Sequence, residues 1–328
     1  MLARDDIDVL TTDPYSTSAP ANEVRGAQYA AEFGAPYVDS YSELFDWKPD
    51  AVIVCSENSR HRVDAEAAAK AGAHVLCEKP LATTVADAQA IVDACVDAGV
   101  KLMTAFPMRF TPMFGAALEA VKRGAIGEVI GATGTNNGKL PLGGRSWFVD
   151  SELAGGGALV DLTVHVADML NAVLRSEHPE LIYAATNRIL HSDKDAVTSE
   201  TAGLVNITYA NGVVATIDCS WSQPDSAPNW GGLTLQLVGT KGVIDIDPFA
   251  LRVEGFDETN GSGVWRGYGT NNSVPLIDEF ISAIREDRQP EPSGQAGLRA
   301  VELVAAAQES SITGEVIDLG SKAFSPSQ

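Results

Sequence analysis

Short apolar segments alternate with segments of helical pattern through the first hundred residues of this 328-residue chain. The predicted strands are Ile7–Thr11, Ala51–Cys55, His74–Cys77 and Lys101–Phe106. The predicted helices cover Asn22–Phe33, about Arg60–Lys70, and a segment from Thr83 or Thr84 to Ala98, each followed by a glycine. Strands that are apolar throughout and joined by helices indicate a parallel sheet covered on both faces. The sequence therefore predicts an α/β domain with a doubly wound parallel sheet.

The pattern changes after Pro107. Helices are predicted from about Pro112 to Arg123, over Pro275–Arg285 and over Gly297–Ser310. Between them, partly alternating segments predict the strands Val129–Thr135, Leu181–Asn187, Leu204–Tyr209, Val213–Trp221, Leu233–Val238 and Val243–Ile246. Such alternation is typical of antiparallel strands with one covered face. We predict two domains: residues 1–107 with the parallel sheet, and residues 108–328 as an α+β domain with a large, mostly antiparallel open sheet.

The chain is strongly acidic, with a formal net charge of −21 at pH 7. Phosphate-rich partners need a basic surface, so this charge argues against nucleic acid and against an anionic membrane. The cysteines, Cys55, Cys77, Cys95 and Cys219, lack metal-type CxxC spacing, which favours a reduced, cytoplasmic protein. No apolar run approaches the ~18 residues of a membrane span, and the first residues hold no apolar core of signal-peptide length.

A lysine, Lys79, ends the apolar segment Ala73–Glu78 and is followed by Pro80. The proline keeps the lysine out of a helix, and open α/β sheets bind ligands at the carboxyl ends of their strands. An isolated Lys-Pro pair is more simply a solvated lysine on a turn. Lys79 becomes a candidate catalytic residue only in company with a second cluster.

That second cluster is a glycine run, residues 155–157, and the predicted helix that follows it. Asp161 and His165 share one face of this helix because they are four residues apart. Alone, they are more simply an acid favoured by the helix dipole and a packed core histidine. With Lys79 they supply a lysine, an imidazole and an orienting carboxylate, the set that proton removal from a carbinol requires. Asp168 is either a supporting partner or a plain surface acid, and it stays outside this set.

Asp161, His165 and Asp168 would lie on one helix stripe, so metal ligation is an alternative. Catalytic metal sites usually combine three protein ligands with a supporting set of hydrogen-bond partners. The sequence has no HExxH motif, no paired cysteines and no second histidine-rich segment. We therefore predict no metal site.

A dinucleotide-binding fold needs a glycine-rich turn between its first strand and first helix, and none is found here. The glycine-rich run Gly261–Gly267 lies far downstream and is predicted to be a hairpin loop. Asp13 follows the first predicted strand, where an acid would bind a ribose hydroxyl, although a turn-starting Asp-Pro explains it equally well.

Taken together, segments spread over nearly the whole chain carry a family resemblance. They are Val52–Ser56 with Asn58 and His61, Cys77–Leu81, Met108–Pro112, Gly124–Gly127, Trp147 with Asp150, Gly155–Asp168, Val238–Gly242, Phe280–Pro290 and Glu309–Gly314. The sequence resembles the glucose-fructose oxidoreductase and inositol dehydrogenase family, Gfo/Idh/MocA. The resemblance implies a Rossmann-like first domain, NAD or NADP as cofactor, and hydride transfer at a hydroxyl or keto group of a sugar, sugar derivative or cyclitol.

The resemblance also implies roles for individual residues. Lys79, Asp161 and His165 would be catalytic, with Lys79 touching the reacting hydroxyl and the nicotinamide ribose, His165 carrying the proton and Asp161 ordering both. The cofactor-binding residues would be Asp13, Ser56, Asn58, His61, Glu78 and Lys79. The substrate-binding residues would be Lys79, Arg109, Trp147, Asp161 and His165. The second domain would supply the substrate pocket and the sheet of a homo-oligomer, a dimer or tetramer.

The start of the chain departs from the family pattern of strand, GxGxxG turn and helix. Asp6–Asp13 corresponds to the family's second strand, so the strand that is central in the order 3-2-1-4-5-6 has no counterpart. We expect an N-terminally truncated sheet that is open in its middle. The alternative function is a non-catalytic ligand-sensing or scaffold relative that lost its cofactor; the intact Lys79, Asp161 and His165 favour the enzyme.

Overall fold

The computed structural model describes residues 1–2, 4–18, 23–142, 145–175, 177–257, 262–267 and 271–320. Its strands are β1 (Thr11–Thr12), β2 (Tyr37–Val38), β3 (Ala51–Val54), β4 (His74–Glu78), β5 (Leu102–Ala105), β6 (Val129–Lys139), β7 (Pro179–Asn187), β8 (Ala202–Tyr209), β9 (Val214–Gln223), β10 (Gly231–Gly239), β11 (Gly242–Ile246), β12 (Arg252–Asp257), β13 (Ser262–Gly267) and β14 (Ile317–Asp318). Its α-helices are α1 (Gly26–Glu32), α2 (Tyr41–Asp46), α3 (His61–Lys70), α4 (Val85–Asp97), α5 (Pro112–Lys122), α6 (Ser151–Ala154), α7 (Ala158–Val173), α8 (Ser273–Arg285) and α9 (Gly294–Thr313).

The parallel strands of the first hundred residues fall into two separate sheets. Strands β3, β4 and β5 form one sheet, with Ala51 opposite His74. Strand β1 pairs with β2, with Thr11 opposite Tyr37. In the order 3-2-1-4-5-6, these are the strands on either side of the central one. The expected opening in the middle of the sheet is confirmed, since no strand of the described residues joins β1 to β3.

Helices cover both faces of the β3-β4-β5 sheet, as a doubly wound arrangement requires. On one face, Val75 and Cys77 of β4 belong to a core that includes residues of α3, α4 and α9. On the other face, Leu76 packs with Leu276 and Phe280 of α8. Two helices from the C-terminal part of the chain, α8 and α9, thus help to cover the first sheet. A domain boundary at residue 107 stays a prediction.

The second sheet has seven strands in the order β11-β10-β6-β9-β8-β7-β14. All neighbours are antiparallel except β6 and β9, where Gly131 lies opposite Val214 in a parallel pair. One face packs on α7, which is almost entirely buried, and on α9. The predicted large, mostly antiparallel open sheet is confirmed.

Three local expectations differ from the structure. The first strand is only Thr11–Thr12, because β1 has a pairing partner on one side among the described residues. The first helix begins at Gly26 after Arg25, and the proposed cap Asn22 lies outside the described residues. The predicted hairpin loop Gly261–Gly267 is wrong, since Ser262–Gly267 is a strand paired with β12; Gly261 lies outside the described residues. The short elements β2, α2 and β14 span too few residues to show a periodic pattern.

One helical stretch, Ser151–Val173, is long and apolar enough to cross a membrane, with a mean hydropathy of 1.3. This differs from the expectation that no apolar run approaches that length. In the structure, 83% of its apolar window is buried inside the protein. A helix that is surrounded by protein is expected to be apolar on all sides, so this stretch is explained as a core element.

Candidate active site

Lys79 and Asp161 form an ion pair that joins the two halves of the chain. Lys79 lies directly after β4, and Asp161 lies in the first turn of α7. The Lys79 Nζ donates to Asp161 Oδ1 at 2.8 Å and to the Asp161 backbone oxygen at 3.1 Å. The two side chains are only 14% and 7% exposed. The structure thus brings together two of the predicted catalytic residues and shields their contact from water.

The ion pair stabilises the ionised form of Asp161. Burial alone would raise the pKa of Asp161, but the Lys79 ammonium and its hydrogen bond leave that pKa below its ordinary value. Asp161 is therefore ionised at neutral pH. An ammonium has three N–H donors, and Asp161 accepts from two of them. Within the part of the chain that the structure describes, the third donor is left for a ligand.

His165 lies one turn after Asp161 on the same helix face. Its ring meets the Phe106 ring edge-on, with 6.3 Å between centroids. The buried Nδ1 has no hydrogen-bond partner among the described residues. Burial, and then the positive charge of Lys79, lower the pKa of His165 to about 3 against the opposing charge of Asp161. The imidazole is therefore neutral at neutral pH and able to accept a proton.

A glutamate from a distant loop holds the start of α7. Glu200 Oε1 accepts from the backbone N–H of Gly157 at 2.7 Å and of Leu159 at 3.2 Å, and the Glu200 backbone oxygen accepts from the N–H of Ala158. A Cβ on Gly157 would lie 2.0 Å from that backbone oxygen. The glycine run therefore allows the close approach that places Asp161 and His165.

The large sheet holds the same helix from its other side. Trp221, on β9, is fully buried, and its Nε1–H donates to Asp161 Oδ2 at 3.3 Å. Asn136, on β6, donates to the backbone oxygen of Leu162 at 2.9 Å. The sequence analysis missed Trp221, Asn136 and Glu200, because their partners are distant in sequence. The one available signal was a tryptophan at the end of an apolar strand, since a buried indole N–H needs an acceptor.

The predicted cofactor residues lie at or just after the carboxyl ends of β1, β3 and β4, which meet at one edge in a Rossmann-like order. Asp13 accepts from Arg25 Nε at 2.9 Å, and Arg25 also binds Glu57. The carboxylate of Glu78 is half-buried, and burial raises its pKa. Contact of these side chains with a cofactor stays a prediction.

Three further residues of that set tie neighbouring loops together. Ser56 Oγ donates to Asp64 at 2.6 Å, and Asn58 Nδ2 donates to the backbone oxygen of Ala154 at 2.8 Å. The His61 ring is fully buried, with Nδ1 2.9 Å from the Pro80 oxygen and Nε2 3.1 Å from the Ser56 oxygen. His61 therefore joins the turns after β3 and β4, and its direct contact with a cofactor stays a prediction.

Arg109, predicted to bind substrate, forms a two-pronged ion pair with Asp168, at 2.7 Å from Nε and 2.6 Å from Nη2. Asp168 is fully buried, so its interpretation as a surface acid is wrong, and it supports α7 instead.

Trp147 lies in a short 3-10 helix and packs on Phe148 with 4.2 Å between ring centroids. Substrate contact of Arg109 and Trp147 stays a prediction.

The described residues hold no group of three or more His, Cys, Asp or Glu side chains arranged to bind a metal ion. The acids of the helix stripe have cationic partners instead, Lys79 for Asp161 and Arg109 for Asp168.

A divided Rossmann-like sheet, a large open antiparallel sheet, and a lysine, acid and histidine between them are typical of a dinucleotide-dependent dehydrogenase. A family model described as "Oxidoreductase family, NAD-binding Rossmann fold" matches residues 16–106, and one described as "GFO/IDH/MocA C-terminal domain" matches residues 114–245. The 1,5-anhydro-D-fructose reductase of Ensifer adhaerens is 31% identical over 315 residues, which cover 93% of this chain and 89% of the relative. The chain belongs to the Gfo/Idh/MocA oxidoreductase family.

Two further similarities agree with this assignment. The D-xylose 1-dehydrogenase (NADP(+)) 2 of Haloferax volcanii is 29% identical, over 92% of this chain and 90% of the relative. The crystal structure of GenD2 from gentamicin A biosynthesis, in complex with NAD, superposes with a TM-score of 0.79 at 25% identity, over 88% of this chain and 84% of that one. The protein is an NAD(P)-dependent oxidoreductase, and the alternative of a non-catalytic relative is not supported.

The donor set at the strand ends fits a nicotinamide cofactor at its nicotinamide end. Among the described residues, one N–H of Lys79 and the Nδ1 of the neighbouring His165 have no hydrogen-bond partner. At the far end, Asp13 is the acid expected near a ribose, but Arg25 already neutralises it. The sequence has no GxGxxG turn for the pyrophosphate, so these two ends are the parts of the cofactor site that this chain's residues define.

Proposed function

We propose that the protein oxidises a hydroxyl of a sugar, sugar derivative or cyclitol, or catalyses the reverse reduction, with NAD or NADP. The relatives named above as a reductase and a dehydrogenase act on an anhydro sugar and on a pentose. The observation that carries the proposal is the buried Lys79–Asp161 pair with a neutral His165 one turn away. These residues supply a proton acceptor and a cation for a substrate oxygen, which an alcohol dehydrogenation requires.

The mechanism divides the proton and the negative charge between two side chains. His165, neutral before reaction, takes the hydroxyl proton as general base. The free N–H of Lys79 donates to the substrate oxygen and stabilises the negative charge that develops there. Asp161 orients the ammonium by accepting hydrogen bonds from its other two N–H groups. A nicotinamide held beside Lys79 and His165 would supply the hydride acceptor for the carbinol carbon, or the hydride donor for the reverse reaction.

The cofactor is proposed to lie along the carboxyl ends of β1, β3 and β4. Lys79 and Glu78 would hold its nicotinamide half. Ser56, Asn58 and the fixed turn above His61 would form the floor of the crevice. Asp13 would bind the adenosine ribose, whose two hydroxyls would compete with Arg25 and the Tyr15 N–H for acceptor positions on its carboxylate.

Substrate oxidation tests the proposal directly. The purified protein is assayed with aldohexoses, pentoses, anhydro sugars and inositols, each with NAD+ and with NADP+, and formation of the reduced nicotinamide is followed. We expect turnover with at least one polyhydroxylated compound and its loss in His165→Asn. Cofactor reduction with none of these classes, or undiminished turnover in the variant, contradicts the proposal.

We further propose that the protein forms a homo-oligomer through the large sheet. Its face opposite α7 exposes apolar side chains on β7, β8, β9 and β11, among them Tyr183, Leu204, Val214 and Val243 at 42%, 44%, 55% and 53%. The same face also carries polar side chains, among them Thr135, Thr216 and Gln236. A sheet face that is left uncovered and exposes several apolar side chains is typical of an interface. A second copy of the same face fits, because a twofold contact needs only one self-complementary patch.

We also propose that the protein functions in the cytoplasm. This proposal is supported by four free cysteines, of which Cys55 is exposed and the other three are buried. Free thiols are typical of reducing compartments.

A further inference from the structure

The two oxygens of the Asp161 carboxylate bind to opposite sides of the site. Oδ1 accepts from Lys79 Nζ at the end of the parallel sheet, and Oδ2 accepts from Trp221 Nε1 in the large sheet. The catalytic lysine and the substrate-domain sheet are therefore connected through a single carboxylate. In the proposed mechanism, Trp221 has no contact of its own with the reacting atoms.

The backbone of Trp221 is held by hydrogen bonds of its own, in addition to the bond that its side chain makes. Trp221 is fully buried, and its backbone N–H donates to the Thr201 oxygen at 2.9 Å. Its backbone oxygen lies 2.8 Å from His191 Nε2, which donates to it. An indole offers one donor and no acceptor, so its N–H has a single possible direction and Asp161 occupies it. The indole is a rigid reference point for the carboxylate.

We infer that Trp221 is a positioning residue that sets the orientation and the ionisation of Asp161 and, through Asp161, the aim of the Lys79 ammonium. By occupying Oδ2, the indole leaves Oδ1 and the backbone oxygen as the acceptors for Lys79. A carboxylate free of that bond can rotate and take the lysine's third proton, the one the mechanism assigns to the substrate oxygen. The inference rests on the proposed function for its kinetic effect and on the structure alone for its geometry.

Loss of the Trp221 N–H should shift the pH dependence of the reaction rate in one direction. The groups that act electrostatically on Asp161 are Lys79, His165 and the Trp221 N–H. Lys79 and Trp221 favour the ionised carboxylate, so loss of the indole N–H raises the pKa of Asp161. Because the ionised form holds the ammonium, the acidic limb of the rate profile moves to higher pH.

Trp221→Phe tests the kinetic part, since phenylalanine keeps an aromatic ring without the N–H. We expect kcat to fall about tenfold, a typical effect of losing one hydrogen bond to a charged group, with KM for the sugar changed less than about twofold. The acidic limb of the kcat profile should move to higher pH. Trp47→Phe is the matched control, because Trp47 directly follows α2 and is 46% exposed, and it should leave both quantities unchanged. An unaltered kcat and pH profile in Trp221→Phe overturns the inference.

A spectroscopic measurement tests the contact between the Trp221 N–H and Asp161. It needs no enzymatic activity, either in the wild type or in the Trp221 variant. In protein labelled with 15N-tryptophan, the indole N–H signals of wild type and Lys79→Met are compared across acidic pH, with Trp221→Phe used for assignment. We expect the Trp221 signal to titrate with Asp161 in wild type and to titrate at higher pH in Lys79→Met, while the Trp47 signal stays still. If Trp221→Phe does not fold, the indole signals of Trp47, Trp147, Trp230 and Trp265 are assigned from their own Trp→Phe variants, and the remaining signal is that of Trp221. A Trp221 signal insensitive to both changes overturns the inference, whereas an active Lys79→Ala enzyme contradicts the proposed function alone.

Discussion

At the scale of residues, some members of the site can be predicted from local sequence patterns, and others are brought to the site only by the fold. Lys79 was predictable because a strand and a proline place it, and Asp161 and His165 because a spacing of four puts them on one helix face. The acceptors and donors that set their charge come from far away: Trp221 and Glu200 lie 60 and 43 positions from the atoms they bind. No periodicity within a segment contains that information.

The first prediction concerns the acid stability that His165 controls. The unfolded chain takes up a proton on this histidine below pH 6.5, whereas the folded protein keeps it neutral until its pKa of about 3. The unfolded state binds more protons in this interval, so the free energy of unfolding falls as the pH drops from 6.5 towards 3. His165→Asn should lose less stability than wild type between pH 6.5 and 4, measured by urea unfolding at each pH. Parallel curves for the two proteins would contradict a histidine that stays neutral in the folded protein.

At the scale of elements, α7 depends on a cap from outside the helix. Glu200→Ala leaves the N–H groups of Gly157 and Leu159 without their acceptor, which should cost about 1–3 kcal/mol of unfolding free energy and lower kcat through misplacement of Asp161. Glu200→Gln keeps an amide oxygen for the same donors and is the matched control, with a smaller loss in both quantities. Equal losses in the two variants would show that charge, not the acceptor, is what matters.

The Arg109–Asp168 pair anchors the C-terminal half of the same helix. Arg109→Met leaves a buried carboxylate without its partner and should cost about 3–5 kcal/mol in chemical denaturation. Burial already raises the pKa of Asp168, so part of this loss should be recovered at acidic pH, where Asp168 is protonated. The double variant with Asp168→Asn removes the stranded charge and should recover most of the stability. A normal stability with a raised KM would instead support the predicted substrate contact of Arg109.

At the scale of the whole molecule, the sequence predicted the order and type of most long elements. Strands such as Ala51–Val54 and helices such as Val85–Asp97 carry their own pattern, and Thr84 caps its helix through the N–H of Asp87 as expected. The divided parallel sheet was predictable because strand order in this fold is fixed. The β12–β13 hairpin was misjudged because its glycines suggested a turn, whereas cross-strand pairing made it a strand. Packing of α8 and α9 onto the first sheet is a long-range choice that no local pattern encodes.

The uncovered face of the large sheet yields a prediction about assembly. Leu204→Asp removes an exposed apolar side chain and places a second carboxylate opposite Asp218, so it should shift the protein towards monomer in sedimentation or light-scattering measurements. Val96→Asp is the control, because Val96 is 71% exposed on α4 in the other half of the molecule. A wild-type protein that is already monomeric at assay concentration would contradict assembly through this face.

The central claim is that Lys79 and His165 serve one proton-transfer step. Its most direct test is the set of kcat values for wild type, Lys79→Ala, His165→Ala and the double variant, each confirmed to unfold cooperatively, with exposed Lys70→Ala as control. We expect each single variant to lose roughly 10²- to 10⁴-fold and the double variant to lose far less than the product, because both residues act in one step. A near-normal kcat in either single variant, or strict multiplication of the two losses, would contradict the account.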